Sequence, residues 1–178
     1  MHVQKRWLLV INIPGGLAVL GSYAWGLGTH PGAGTALWGG MPQVWRQIST
    51  ANMLLAALGY FAFTSFILFN LDPGNTVVFG RPGYGLFHLL YAVILLPSAL
   101  WMPLTTAVLA SPGQLLLWSV RLLLALIGLA SLAMLLTLWS LRPPRPTGAW
   151  RLAVIGCAFF CLQTVVLDAA VWSAYFSP

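Results

Sequence analysis

In this 178-residue chain, catalytic or metal chemistry would have to come from few groups: two acids, eight lysines and arginines, three histidines and two cysteines. Asp72 stands in a turn, LDPGN, which leaves Asp168 in VVLDAAVW as the acid inside an apolar run. Arg121 in LWSVRLLL is its counterpart of opposite sign. General acid–base work usually needs two or more positioned titratable groups. The sequence offers no nucleophile–base pair, no metal-ligand cluster and no phosphate-cradling loop. An enzyme acting on a lipid or isoprenoid is therefore the least supported reading, with Asp168 as its one proton-bearing group. His88 is near the end of an apolar run, while His2 and His30 lie outside such runs, so haem held by two histidines is not available. Cys157 and Cys161 are one helical turn apart, poorly placed to bridge, and read as small buried hydrophobes.

What must position these groups is a membrane-embedded scaffold. The chain is 60% hydrophobic and 6% charged, against about a quarter charged in soluble domains. Such a surface needs lipid as its solvent. The net charge of +6 and pI near 10 do not indicate nucleic acid, because the basic residues are scattered and make no phosphate-binding footprint. Five apolar stretches are long enough to cross a bilayer, at residues 7–27, 48–69, 84–109, 115–141 and 150–176. They are continuous, without the alternation of a membrane barrel, so helices are expected. GTHPGAG, NLDPGNT, GRPGYG, ASPGQ and RPPRPTG supply turn chemistry between them. The N-terminal MHVQKRWLLV imitates a signal peptide, but its long apolar run reads as the first span. The expected fold is an all-α integral membrane protein, one five-helix bundle over residues 1–178.

Charge gives the expected orientation. Lys5, Arg6, Arg81, Arg142, Arg145 and Arg151 fall on one side and Arg46 alone on the other. Basic residues stay in the cytoplasm, so the N-terminus is expected inside and the C-terminus opposite, in a bacterial inner membrane. An odd number of spans disfavours two equal inverted halves.

An Arg or Asp at a helix centre costs about 2.5–3.5 kcal/mol in lipid, so Arg121 and Asp168 need a reason to persist. Antiparallel fourth and fifth spans would place both in the outer third of the membrane, where they can pair. The fifth span carries Cys157, Cys161, Thr164, Asp168, Trp172 and Tyr175 at helical spacing, and the second carries Trp45, Ser49, Asn52, Ala56 and Tyr60. Pro97 and Pro103 invite kinks around Trp101 in the third. By depth, Tyr23, Trp25, Trp45, Asn52, Trp101, Arg121, Asp168 and Trp172 gather in the outer half, and the inner half holds little comparable beyond His88 and Tyr84. Over the outer group lies the first connector, ALWGGMPQVW. Its tryptophans suit either an interfacial aromatic belt or a lid over an apolar pocket with a few polar anchors. The lid reading names Trp38, Trp45, Asn52, Trp101, Arg121, Asp168 and Trp172 as ligand contacts. A flat, greasy molecule with a polar edge would suit them.

This layout resembles the translocator-protein, or tryptophan-rich sensory protein, family. ALWGGMPQVW followed by LLAALGYFAF is similar to that family's connector and second helix, and ALWMPL and the Trp172 region stand in comparable places. The family's Trp-x-Pro-Pro element is reduced to WGGMP, its third-helix Asn is missing, and no basic residue follows Tyr175. The resemblance implies five helices and binding of porphyrins, sterols or other hydrophobic ligands beneath the connector, with Trp38, Trp45, Trp101 and Trp172 in contact. The cofactor stays open between a tetrapyrrole and a lipid. The alternative is a structural or accessory subunit of a larger membrane complex. Under either reading a homodimer could form through Ala125, Gly128 and Ser131.

Overall fold

The computed structural model describes residues 1–30, 32–141 and 147–176. Among them, five helices are long and apolar enough to span a membrane: Val3–Thr29, Gln43–Asn70, Tyr84–Ala110, Gln114–Trp139 and Gly148–Tyr175. Each has 26 to 28 residues, about 40 Å at ~1.5 Å per residue, against a hydrocarbon core of about 30 Å. The chain is an all-α bundle of five membrane-length helices. Arg142 and Arg145, two of the six charges behind the expected orientation, lie outside the described residues.

The elements in order are α1 (Val3–Thr29), α2 (Ala33–Ala36), α3 (Gln43–Ser65), β1 (Val77–Val78), β2 (Arg81–Pro82), α4 (Tyr84–Ala110), α5 (Gln114–Trp139), α6 (Gly148–Cys161) and α7 (Ser173–Tyr175). Two π-helical segments continue spans: Phe66–Asn70 after α3, and Leu162–Trp172 between α6 and α7. Local chemistry sets the starts. The His2 ring accepts from the Gln4 amide at 3.3 Å to open α1, and the Thr147 hydroxyl accepts from the Trp150 amide at 3.2 Å to open α6. The second connector, expected as plain turn, is a small hairpin pairing Val77 with Pro82 and Val78 with Arg81. Phe79 and Gly80 have φ of 49° and 80°. A two-residue hairpin with both central residues at positive φ matches strand twist, and only Gly80 takes that geometry freely.

Around the bundle, α1 packs on α4, α4 on α5, α5 on α6 and its π continuation, and α6 on α3. The ring closes at the N-terminal end, where the Tyr60 hydroxyl of α3 donates to Asn12 Oδ1 of α1 at 2.5 Å. Tyr60 and Phe63 also meet the Tyr91 ring of α4, and Thr64 bonds the Tyr91 hydroxyl at 2.7 Å. α4 runs unbroken through Pro97 and Pro103. Hydroxyls of Ser98, Thr105 and Thr106 turn back onto carbonyls of nearby turns, as membrane helices do around proline.

Two large apolar clusters and a small one of Leu37 and Met102 fill the interior. The first, toward the N-terminal end, includes Leu8, Phe63, Phe87, Tyr91 and Met134; the second, toward the C-terminal end, includes Met41, Val108, Val120, Trp172 and Phe176. The expectation that rings crowd into the outer half is corrected here. Tyr60 alone touches Phe61, Phe63, Tyr91 and Phe160, and Tyr84 touches Phe87 and His88. Tyr60, Phe63, Phe87 and Tyr91 pack inward at the N-terminal end. The half beneath the first connector is distinguished by its tryptophans and by Arg121 and Asp168 inside the spans, not by its total aromatic content.

Candidate functional site

The site is built on one close helix crossing. Gly59 of α3 lies against Gly156 of α6, and a Cβ on Gly156 would come 2.6 Å from Gly59 Cα. Only glycine allows backbones so near. Two helical turns further toward the first connector, the antiparallel pair brings Asn52 opposite Gln163. Asn52 Nδ2 donates to the Phe159 carbonyl at 3.1 Å and to Gln163 Oε1 at 3.1 Å. Gln163 Nε2 then donates to Asp168 Oδ1 at 2.8 Å. The Phe159 carbonyl can only accept, so it fixes the Asn52 amide, which fixes the Gln163 amide, which presents an N–H to the carboxylate.

Gln163 and Asp168 are five residues apart, which in an α-helix means different faces. The segment is π-helical, with i→i+5 bonding, so the two share a face. The same winding lets the Ser173 hydroxyl donate to the Asp168 carbonyl at 3.3 Å.

A chain of rings runs beside this network. Tyr23 of α1 stacks on Trp101 of α4 with centroids 5.5 Å apart, Trp101 meets Trp172 edge-on at 5.6 Å, and Trp172 stacks on Phe176 at 4.3 Å. Trp172 follows Asp168 by four residues on the π-helical segment, nearly one turn, so the carboxylate and the rings lie on one side of the fifth span. The Trp101 indole N–H is buried without an acceptor among the described residues.

The first connector is tied onto this neighbourhood. Trp172 Nε1 donates to the Leu37 carbonyl at 2.7 Å, and the Gly40 amide donates to the Tyr175 carbonyl at 3.1 Å. Gly39 has φ of 53°, and a Cβ there would sit 2.9 Å from the Tyr175 carbonyl oxygen. Arg46 clasps the connector from the other side, with Nε on the Met41 carbonyl at 2.7 Å and Nη2 on the Gly39 carbonyl at 3.2 Å.

Of the seven residues expected in the site, Asn52 and Asp168 are joined through Gln163, and Trp101 and Trp172 are in ring contact. Trp38 is half-buried against the apolar cluster holding Met41, Trp172 and Phe176. Trp45 is 36% exposed, so the two tryptophans of the connector differ in use: one packs on the core, the other meets the surroundings. Arg121 does not pair with Asp168. Its Nη2 donates to the Ser173 carbonyl at 3.0 Å, its guanidinium lies 5.1 Å from the Trp118 ring centroid, and its Nε is buried without a partner among the described residues. The free carbonyls at the end of the fifth span draw the arginine, while Gln163 holds the carboxylate elsewhere. Sequence reasoning passed over Gln163, and placed Tyr23 at the right depth without giving it a role.

Of the small residues named for a homodimer, Gly128 and Ser131 are engaged within the chain and Ala125 is exposed. Ser131 Oγ lies 2.6 Å from Thr164 Oγ1, and a Cβ on Gly128 would lie 3.3 Å from the Thr164 carbonyl oxygen. Asp72 closes its turn, accepting from Asn75 Nδ2 at 2.6 Å. His88 Nε2 bonds the Gln4 carbonyl at 2.8 Å, tying α4 to α1. Cys157 and Cys161 are free and buried. A surface cavity of about 420 Å³ lies at the opposite end, lined by Met1, His2, Lys5 and residues 68–73. Its lining includes none of Trp38, Trp101, Trp172, Arg121 or Asp168. No family model matches the chain, and no curated protein or solved structure matches it.

Proposed function

We propose that this membrane protein binds a flat, hydrophobic small molecule with a polar edge, in the half of the bundle beneath the first connector, as a sensor, carrier or scavenger. Tetrapyrroles and sterols are the classes that the translocator-protein resemblance adds. One observation carries the reading: an oriented polar chain, Asn52–Gln163–Asp168, and a ring chain, Tyr23–Trp101–Trp172, converge from four spans under a connector pinned above them. The side-chain bonds and ring contacts joining α3 to α1 and α4 fall at residues 60–64. Toward the connector α3 leans on the fifth span instead. That divergence gives a ligand its way in from the lipid. Sites of this type combine apolar and aromatic walls with few polar groups. Titration of a porphyrin or sterol into protein in nanodiscs should quench tryptophan emission saturably, and Trp101→Ala should weaken the affinity about tenfold, the scale of one aromatic contact. Quenching no different from that of empty nanodiscs would remove the reading.

The second reading, an accessory subunit, draws on α1. Only Leu8 and Gly26 are buried in that helix, which packs along α4 and leaves Val10, Ile13, Leu17 and Leu20 exposed. Co-purification of a stoichiometric membrane partner in mild detergent would favour it; a stable, partner-free protein that saturates with ligand would favour the first.

A further inference from the structure

We propose that the polar edge recognised at this site is a protonated amine, with Asp168 as its counter-ion, so that the ligands are lipophilic cations. This rests on the ligand-binding reading above and narrows it. Asp168 Oδ1 is met by Gln163, and among the described residues no Lys, Arg or His pairs with the carboxylate. The two basic residues toward that end are turned away, Arg121 onto Ser173 and Trp118 and Arg46 onto the Met41 and Gly39 carbonyls. The amide chain is oriented from a fixed point, the Phe159 carbonyl, and its last link is a donor. It therefore keeps Oδ1 accepting and leaves the carboxyl with no cation against it among the described residues. A carboxylate kept from water is costly until a cation or donor meets it. Trp172, nearly one turn after Asp168 on the fifth span, meets Trp101 edge-on, and Tyr23 stacks on Trp101 beyond it. Ring faces attract ammonium groups, most strongly when desolvated. Carboxylate and rings together make a site for an amine carried on an apolar body, and one that repels anions.

The test uses three pyrene probes of matched shape, pyrenylmethylamine, pyrenylmethanol and pyrenylacetate, each read by energy transfer from tryptophan. Full-length protein is held in neutral phosphatidylcholine nanodiscs at neutral pH, with empty discs as the partition control. The amine should bind about tenfold or more tighter than the alcohol, as a desolvated charge pair implies, and the acid weakest. Asp168→Asn keeps an oxygen for Gln163 to bond, and should reduce amine binding to the level of the alcohol. Equal affinity for amine and alcohol on the unaltered protein overturns the proposal without requiring any variant to fold. Saturable alcohol binding lost in Trp101→Ala would then still uphold the ligand site. No saturable binding of any probe rejects both. An oligomer that binds no amine and that Asp168→Asn dissociates would assign the carboxylate to a contact between copies, and would also overturn the proposal.

Discussion

At the scale of single residues, the site depends on amides that gain little individually and much by being linked. Hydrogen bonds between membrane helices average about 0.6 kcal/mol and reach about 1.7, because the separated helices find other partners. Gln163 is the middle link, so its loss strips Asn52 of one acceptor and Asp168 of its donor. Gln163→Leu should cost about 1–2 kcal/mol in reversible unfolding in mixed micelles. Asn52→Leu and Gln163→Leu together should cost less than their sum, since both break the same chain; strict additivity would mean that the two amides act separately. Trp172 tests the tie to the connector. Trp172→Phe keeps a ring against Phe176 and loses the bond to Leu37. A net loss of about 0.5–1.5 kcal/mol should speed amide exchange over residues 37–41 by roughly two- to tenfold, and unchanged exchange would mean that other contacts hold the connector. Asn52, Asp168 and Trp101 were legible in the sequence because a polar group or a tryptophan in an apolar run already needs a reason. Gln163 was not, because the α-helical period puts it on a different face from Asp168, and nothing in LQTVVLDAAVW announces a wider winding.

At the scale of elements, the long helices were readable from apolar length alone, since lipid leaves few alternatives to a helix. Their helix-to-helix contacts were less so, because small residues have no fixed partner in a linear reading. Ala56 could be placed on one face of the second span with Ser49 and Asn52, but not that Gly59 would meet Gly156, nor that Gly128 and Ser131 would be used inside the chain. The glycines themselves make a discriminating pair of mutations. At Gly59 an added methyl meets the backbone of Gly156, which cannot move without parting α3 from α6. At Gly26 it meets Cγ and Sδ of the Met102 side chain, which is unbranched and can change rotamer. Gly59→Ala should therefore cost about 3 kcal/mol, the upper end of overpacking. It should also weaken ligand binding, because Asn52 and Gln163 move apart with the helices. Gly26→Ala should cost under about 1 kcal/mol, as the gain in helix propensity offsets a rotamer change. Equal losses in unfolding measurements would contradict the crossing.

At the scale of the whole molecule, the distribution of charge acquires a different meaning once Arg46 is placed. It is the single basic residue on the far side of the expected topology, and counted alone it weakens the positive-inside bias. The structure gives it separate work: both of its bonds go to carbonyls of the first connector. Lys5, Arg6, Arg81 and Arg151 have no such bonds among the described residues, and three of them are exposed at the N-terminal end. A residue spent on clasping a loop and residues left to set orientation should respond differently to removal. Fusions of a periplasm-active phosphatase to the C-terminus should be active, and those of a cytoplasm-fluorescent reporter dark, in the unaltered protein and in Arg46→Ala alike. Arg46→Ala should instead expose the connector, seen as faster proteolysis between residues 37 and 46. Neutralising Lys5, Arg6 and Arg81 together should yield a mixed population by the same reporters, because insertion reads basic residues flanking the spans. If Arg46→Ala shifts the reporters while the triple change does not, the orientation follows from the clasped connector and not from the basic flank. The site beneath it would then face the opposite compartment.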